Sequence, residues 1–218
     1  MPRYDAVLFD CDGVIVDSEP AAFELLIADF RAHGVTLSDE EIEETFIGGT
    51  IPGVFERARG MGVPLPDGWP DDFYARLYAR LAEGTALVAG VEALLDRLDA
   101  AGIRYAIGSN GSLRKMEITL GQHPALRARF GAHVYSGQEL GAPKPAPDLY
   151  LHAAAALGVS PDRAAVVEDS ATGARAAAAA QMDCFGHAAG HAGAARRLTA
   201  EGARVFDRMD ELPALLGL

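Results

Sequence analysis

Residues 5–19 read Asp5-Ala6-Val7-Leu8-Phe9-Asp10-Cys11-Asp12-Gly13-Val14-Ile15-Val16-Asp17-Ser18-Glu19, an apolar run that ends in two aspartates and a glycine. The run predicts a buried β-strand over Ala6–Phe9. Asp10 and Asp12 then lie at the carboxyl end of a sheet, where open α/β folds bind ligands. Two carboxylates so close repel each other unless a cation lies between them, so the pair favours a metal and phosphate chemistry. An Asx-type turn explains the same residues without a function, and the rest of the chain has to decide.

Size and charge narrow the class of protein. The chain has 218 residues, half of them hydrophobic, which is enough for one sizeable core with a small second domain. The net charge of −12 argues against nucleic acid or an anionic membrane as the main partner. No stretch approaches membrane-spanning length, and the start, Met-Pro-Arg-Tyr-Asp, has no apolar signal region, so we expect a cytoplasmic protein. The oligomeric state has no signal in the sequence.

Short apolar runs alternate with helical patterns, which predicts an α/β fold with a doubly wound parallel sheet. The predicted strands are Ala6–Phe9, Arg104–Gly108, His133–Tyr135, Ala164–Val167, Cys184–Gly186 and Arg204–Phe206. The predicted helices between them are Val91–Ala101, Ser112–Leu120, Asp148–Leu157, Thr172–Gln181 and Ala192–Glu201.

Residues 17–83 break this rhythm, because they show helical periodicity and no convincing strand. The predicted helices are Pro20–Ala32, Ser38–Phe46, Pro52–Arg59 and Asp71–Glu83, and Ser38 with Glu41 has the spacing of a capping box. We therefore expect a core made of residues 1–16 and 84–218 and an all-helical domain, residues 17–83, inserted over the acidic edge. The alternative is an extra helical layer of a single domain.

Polar residues follow three further predicted strands. Ser109 and Asn110 lie just before the predicted helix Ser112–Leu120. A hydroxyl and free backbone amides at a helix start suit a phosphate group, although the same residues are also typical of a simple helix cap. Lys144 stands between two prolines, which favours a held position over an ordinary surface lysine. Glu168 and Asp169 follow a buried run and repeat the logic of the first acidic pair. Together, and each at a strand end, these pieces indicate one phosphate-binding site.

With these residues in place, the chain resembles the haloacid dehalogenase-like superfamily of phosphotransferases over nearly its whole length. Its four motifs are matched by Asp10-Cys11-Asp12-Gly13-Val14, Ser109-Asn110, Lys144 and Glu168-Asp169. Flanking residues resemble the subgroup that contains β-phosphoglucomutase and 6-phosphogluconate phosphatase. The resemblance implies a Rossmann-like core with a helical cap domain at residues 17–83, which opens for substrate and closes to exclude water.

The resemblance also implies a role for each motif residue. Asp10 would attack phosphorus and form an aspartyl-phosphate, and Asp12 would protonate the leaving oxygen and later take a proton from water. Lys144 would pair with the phosphate and with Asp10. Ser109 and the amide of Asn110 would hold the non-bridging oxygens.

A Mg²⁺ cofactor belongs to the same implied mechanism. It would be held by Asp10, Asp169, the backbone carbonyl of Asp12 and Glu168, and would relieve the repulsion between carboxylate and phosphate. The expected partner is a small phosphorylated metabolite. Six histidines show no metal-ligand spacing, and His187 and His191 suggest a surface pair more than a zinc site.

The cap loop helps to choose within the superfamily. Its family position falls on Thr45–Ile51 and marks Gly48, Gly49 and Thr50 as candidate substrate residues, but it contains no Lys or Arg. Where the β-phosphoglucomutase pattern has an arginine and a histidine, this chain has Ile51 and Ala22. Both departures favour a phosphatase over a hexose-phosphate mutase. A non-catalytic binding or regulatory protein on the same fold remains the third alternative.

The arginines of the helical domain have two interpretations. Arg57, Arg76 and Arg80 could reach a substrate, but a solvated helix face is the more ordinary explanation for a helical arginine. The sequence does not decide between them.

Overall fold

The computed structural model describes residues 3–46 and 50–218, and the chain divides into two compact units. One, the core unit, runs up to Asp17 and then from Ala86 to Leu218. The other, the helical unit, comprises Ser18–Thr85. These bounds lie within two residues of the predicted ones.

The core unit is built on a six-stranded parallel sheet, as predicted. Its strands are β1 (Ala6–Phe9), β4 (Arg104–Ser109), β5 (Val134–Ser136), β6 (Ala164–Glu168), β7 (Asp183–His187) and β8 (Arg204–Phe206). A separate two-stranded antiparallel ribbon joins β2 (Val16–Asp17) to β3 (Ala86–Leu87). This ribbon was not predicted, because two-residue strands carry no periodicity to read.

The order of the sheet, β5-β4-β1-β6-β7-β8, puts β1 at its centre. Phe9 pairs with Ile107 of β4 on one side and with Val167 of β6 on the other. The three strands therefore end level with one another, and the residues that follow them meet at one edge.

β1 is apolar throughout because both of its faces are buried. Val7 and Phe9 point into one hydrophobic cluster, and Ala6 and Leu8 point into another on the opposite face. Alternate side chains of a strand point to opposite faces, so the two clusters are the two helix–sheet layers. The second cluster is rich in alanine from two helices, Asp148–Ala156 and Ala171–Ala179, which brings these helices close to the sheet.

Helices cover both faces of the sheet. Those of the core unit are α5 (Val91–Ala100), α6 (Leu113–Leu120), α7 (Pro124–Phe130), α8 (Asp148–Ala156), α9 (Ala171–Ala179), α10 (Ala192–Ala200) and α11 (Leu212–Leu216). Five match predicted helices, whereas α7 and α11 have no predicted counterpart. Both are only seven and five residues long, too short for a clear helical repeat.

The helical unit consists of α1 (Glu19–Ala32), α2 (Asp39–Phe46), α3 (Ile51–Gly60) and α4 (Trp69–Glu83). The predicted capping box is present, since the backbone N–H of Glu41 donates to Ser38 Oγ at 3.2 Å and that of Ser38 donates to Glu41 Oε2 at 2.7 Å. α4 begins two residues before its predicted start because Pro70 fits the first turn of a helix.

A buried carboxylate ties this unit together. Asp29 of α1 accepts a hydrogen bond from the indole N–H of Trp69 at 2.8 Å and two from the guanidinium of Arg76, each at 2.5 Å. Arg57 donates to the carbonyl of Thr45, and Arg80 lies within 4 Å of the carboxylate of Glu24. Arg57, Arg76 and Arg80, the three arginines considered as substrate contacts, thus have partners inside the unit. Within the described residues, no helix combines the length and the apolar character needed to cross a membrane.

Candidate active site

The predicted site residues of the core unit lie at the ends of β1, β4 and β6 and in the loop before α8. Asp10 comes directly after β1, Ser109 ends β4, and Glu168 ends β6. The order of the sheet makes these strand ends neighbours. Lys144 reaches the same edge from the loop that precedes α8, and all four side chains are buried.

Lys144 is the centre of the cluster. Its ammonium donates to Asp10 Oδ1 and, at 2.5 Å, to Glu168 Oε1. It also lies 4.8 Å from the centre of the Tyr150 ring. Burial opposes its charge, yet the two carboxylates outweigh burial and raise the pKa of Lys144 above its ordinary value. Lys144 is thus a fixed, permanent positive charge at the sheet edge.

The side chain of Asn110 fixes the backbone of Lys144. Its Nδ2 donates to the carbonyl of Lys144 at 3.1 Å, and its Oδ1 accepts from the Lys144 N–H at 2.8 Å. The Lys144–Pro145 peptide bond is cis. The amide side chain of Asn110 is therefore occupied with the lysine loop, so only its backbone N–H remains for a phosphate oxygen.

Glu168 is fully buried and saturated with hydrogen bonds. Besides Lys144, its Oε1 accepts from the hydroxyl of Tyr150 at 2.8 Å. Its Oε2 accepts from the backbone N–H groups of Asp169 and Ser170, at 3.1 and 3.0 Å, and from the hydroxyl of Ser170 at 2.8 Å. Although burial opposes ionisation, Lys144 and Ser170 hold the pKa of Glu168 below its ordinary value. Tyr150 was not singled out in the sequence, where it resembles any core aromatic residue.

Asp12 and Ser109 converge on Gly111. A Cβ atom added at Gly111 would lie 3.4 Å from Ser109 Oγ, 3.5 Å from Asp12 Oδ2 and 3.7 Å from Cδ of Lys115. The Gly111 N–H donates to Ser109 Oγ at 3.0 Å. The first two predicted motifs therefore share one small space, which the missing side chain of Gly111 leaves open.

Lys115, in the first turn of α6, is a second cation of the site. Its ammonium lies 2.8 Å from Asp12 Oδ1. Burial works against its charge, but Asp12 outweighs it and the pKa of Lys115 is raised. The sequence analysis left this residue out, because a lysine in a helix resembles a surface residue. Its position in the first turn of a helix could have identified it, because a cation there is unfavourable next to the helix dipole and therefore suggests a nearby anionic partner.

The pKa of Asp10 is strongly perturbed. Burial raises its pKa to about 7, and the neighbouring charges of Glu168 and Asp12 add to this against the attraction of Lys144. Burial thus favours the protonated form of Asp10. A further cation beside Asp10 would release that proton and complete the charge balance.

The donor set suits Mg²⁺. Asp169 lies beside the first motif, because a Cβ atom at Gly13 would collide with its carboxylate. In the described parts of the chain no three His, Cys, Asp or Glu side chains form a ready-made metal cage. Mg²⁺ does not need one, since it usually takes one or two carboxylates together with water and substrate phosphate. Asp10 and Asp169, with the carbonyl of Asp12, offer that kind of set.

Other predicted residues lie elsewhere. Gly48 and Gly49 fall outside the described residues, and Thr50 caps α3 by accepting from the N–H of Gly53 at 3.2 Å. The prediction of a surface pair was wrong for His187, which is buried, with Nδ1 2.9 Å from the carbonyl oxygen of Gly13. His187 therefore contacts the backbone of the first motif, whereas His191 is exposed.

Comparison with known proteins agrees with this geometry. Residues 4–181 match the family model described as haloacid dehalogenase-like hydrolase. A 6-phosphogluconate phosphatase from Escherichia coli is 32% identical over 187 residues, which cover 85% of this chain and 83% of the relative.

Two solved structures are similar over almost their whole length. A haloacid dehalogenase-like protein from Agrobacterium tumefaciens has a TM-score of 0.89 at 37% identity, covering 98% of both chains. A hydrolase of the same family from Deinococcus radiodurans, solved with phosphate and sodium bound, has a TM-score of 0.82 at 34% identity, covering 100% of this chain and 96% of its own.

Proposed function

The chain belongs to the haloacid dehalogenase-like hydrolase family, and on that premise we propose that it is a Mg²⁺-dependent phosphatase. Its substrate is a small phosphorylated metabolite, a sugar phosphate or sugar-acid phosphate, and hydrolysis passes through an aspartyl-phosphate. In this proposal the helical unit is the cap domain of the family, and the cytoplasmic location expected from the sequence is kept.

One observation carries the proposal: the contact of Lys144 with both Asp10 and Glu168 at the edge where Asp12 and Ser109 converge. A buried nucleophile, a second carboxyl group, a hydroxyl and a fixed cation are the parts that phosphoryl transfer needs. The two carboxyl groups, the hydroxyl and the cation come from three separate segments of the chain, and the fold brings them together.

The first step is an attack on phosphorus by Asp10. Its carboxylate oxygen forms a bond to phosphorus while the bond to the ester oxygen breaks. Asp12 gives its proton to that oxygen and is left as a carboxylate, so the alcohol leaves neutral. In the second step Asp12 takes a proton from water, which attacks the aspartyl-phosphate and frees Asp10.

The other residues hold the phosphate. Lys144, whose ammonium contacts Asp10, would neutralise the negative charge that develops on the non-bridging phosphate oxygens. The hydroxyl of Ser109 and the backbone N–H of Asn110 donate to the same oxygens. When bound, Mg²⁺ would be held by Asp10, Asp169 and the carbonyl of Asp12, and it supplies Lewis-acid neutralisation of the phosphate. Glu168 takes part by fixing Lys144.

The substrate class rests on the relatives and on the charge of the chain. A relative at 32% identity is named for 6-phosphogluconate, a sugar-acid phosphate. A protein with a net charge of −12 attracts no nucleic acid by its overall field, so its anionic substrate is bound by local groups. The β-phosphoglucomutase pattern has an arginine and a histidine where this chain has Ile51 and Ala22. These two departures favour hydrolysis over isomerisation.

The test is phosphate release from a panel of phosphorylated metabolites with Mg²⁺. The panel contains 6-phosphogluconate, glucose 6-phosphate and β-glucose 1-phosphate. We expect multiple turnovers with at least one sugar or sugar-acid phosphate, and loss of activity in EDTA. Conversion of β-glucose 1-phosphate to the 6-phosphate without phosphate release would instead identify a mutase.

Asp10→Asn and Asp67→Asn form a matched pair for this assay. Both make the same chemical change, but the Asp67 side chain is 92% exposed in the helical unit. Asp10→Asn removes the nucleophile and should lower turnover by on the order of 10³-fold or more, whereas Asp67→Asn should retain it. Activity of Asp10→Asn equal to that of the wild type would refute the proposal.

A further inference from the structure

We propose that Lys115 is a positioning residue that holds the carboxyl group of Asp12 in place for proton transfer to the leaving group. The inference rests on the proposed phosphatase function and adds a residue that none of the four family motifs contains. It starts from the ion pair between Lys115 Nζ and Asp12 Oδ1, at 2.8 Å.

The pair is partly buried and well fixed. The side chain of Lys115 is 17% exposed and that of Asp12 is 23% exposed. The backbone N–H of Lys115 donates to the hydroxyl of Ser112, which caps α6, so the base of the side chain is anchored as well. The stem then runs past Gly111, where a Cβ atom would lie 3.7 Å from Cδ of Lys115.

Asp12 offsets two disadvantages of the location of Lys115. A lysine in the first turn of a helix faces the positive end of the helix dipole, which disfavours its charge. Burial disfavours its charge further. Lys144 is already engaged by Asp10 and Glu168, so among the described ion pairs Lys115 is the cation that serves Asp12.

Fixing Asp12 matters because proton transfer depends on geometry. A proton donor must lie within hydrogen-bond reach of the leaving oxygen, and a displacement of about 1 Å can lower a rate about 100-fold. Asp12 precedes the turn at residues 13–15, and its side chain has two rotatable bonds. An ammonium group on one of its oxygens restricts that rotation and leaves the other oxygen, Oδ2, toward Gly111 and Ser109.

The nature of the leaving group separates this role from general structural support. Benzyl alcohol is a far weaker acid than 4-nitrophenol, so benzyl phosphate needs a proton donor and 4-nitrophenyl phosphate hardly does. The two esters are similar in size. Their kcat/KM reports only binding and the first chemical step, so the later use of Asp12 as a base does not enter.

The experiment compares Lys115→Met, Lys115→Arg and Arg114→Met with the wild type on both esters. Arg114 is the exposed neighbour of Lys115 on the same helix, so its variant controls for the loss of a cation. We expect Lys115→Met to lower kcat/KM about 30-fold for benzyl phosphate and less than about 3-fold for 4-nitrophenyl phosphate. Lys115→Arg should restore most of the loss, and Arg114→Met should change neither ester.

Equal losses on the two esters, or no loss on either, would overturn the role of Lys115 while leaving the phosphatase function intact. Wild-type protein that hydrolyses neither ester nor any panel compound would remove the proposed function and this role with it. Circular dichroism checks that each variant is folded. If Lys115→Met does not fold, Lys115→Ala, which also removes the group that donates to Asp12, takes its place with the same expected outcome.

Discussion

Replacing Glu168 by glutamine should destabilise the core unit far more than the loss of one charge suggests. The side chain is fully buried, and both oxygens accept hydrogen bonds: Oε1 from Lys144 and Tyr150, and Oε2 from Asp169 and Ser170. An amide has only one accepting oxygen, so its NH₂ group must face one of the two donor sets.

Either orientation of the amide leaves a conflict. In one orientation the NH₂ group faces Lys144 and Tyr150, which donate to Oε1 in the wild type. The hydroxyl of Tyr150 can turn to accept a hydrogen bond from the NH₂ group, but the ammonium of Lys144 has no acceptor to offer. If the NH₂ group faces the other set, the hydroxyl of Ser170 can turn, but two backbone N–H groups lose their acceptor at about 1–3 kcal/mol each. A broken buried ion pair costs about 3–5 kcal/mol. Asp10 gains from the removal of a neighbouring negative charge, which offsets part of this, so we expect a net loss of about 3 kcal/mol.

The assay is thermal unfolding at pH 7, followed by circular dichroism. A loss of about 3 kcal/mol corresponds to a fall in Tm of about 6–12 °C for a chain of this length. The matched control is Glu201→Gln, which makes the same change in a solvent-exposed pair with Arg175 and should lower Tm far less. A fall for Glu168→Gln no larger than that of the control would refute the reasoning about its buried acceptors.

Two further predictions concern the same edge of the sheet. The pKa of Asp10 in the folded protein, about 7, lies above its ordinary value, so the stability it contributes is complete at low pH and is lost as pH rises through about 7. Without Mg²⁺, Asp10→Asn should therefore gain about 2 kcal/mol relative to the wild type between pH 5 and pH 8 in denaturant unfolding; a difference independent of pH would contradict the raised pKa. Gly173→Ala should destabilise the core unit by about 2–3 kcal/mol, because the new methyl group collides with the carboxylate of Glu168, whereas Gly60→Ala, with no atom within 4 Å of the new methyl group, should be neutral or stabilising. Similar unfolding midpoints for these two variants would show that Glu168 can move aside.

The sequence predicted the sheet well because its strands are buried on both faces. Continuous apolar runs such as Ala6–Phe9 leave little choice of structure, and a polar residue directly after such a run is placed at the sheet edge by the fold itself. The positions of Asp10, Ser109 and Glu168 follow from this logic alone. Their contacts do not, since they depend on which strands are neighbours.

The missed residues share a different physical reason. Lys115, Tyr150 and His187 each act through a contact with a residue far away in the sequence, and each has an ordinary explanation in its own element. No local pattern distinguishes a buried histidine that meets the carbonyl of Gly13 from a histidine on the surface. For Glu168, adjacency to Asp169 suggested a metal ligand, and only the structure reveals that five donors already surround its oxygens.

The small ribbon of β2 and β3 has a consequence for how this chain can be rebuilt. Asp17 pairs with Ala86, so the two points where the chain leaves and re-enters the core unit are adjacent backbone positions. Neighbouring strands lie about 5 Å apart, a gap that a two-residue turn can close. Residues 18–85 are thus an insertion between two paired backbone positions of the core unit. A designer could exchange these residues for another insert without altering a single residue of the sheet that carries Asp10.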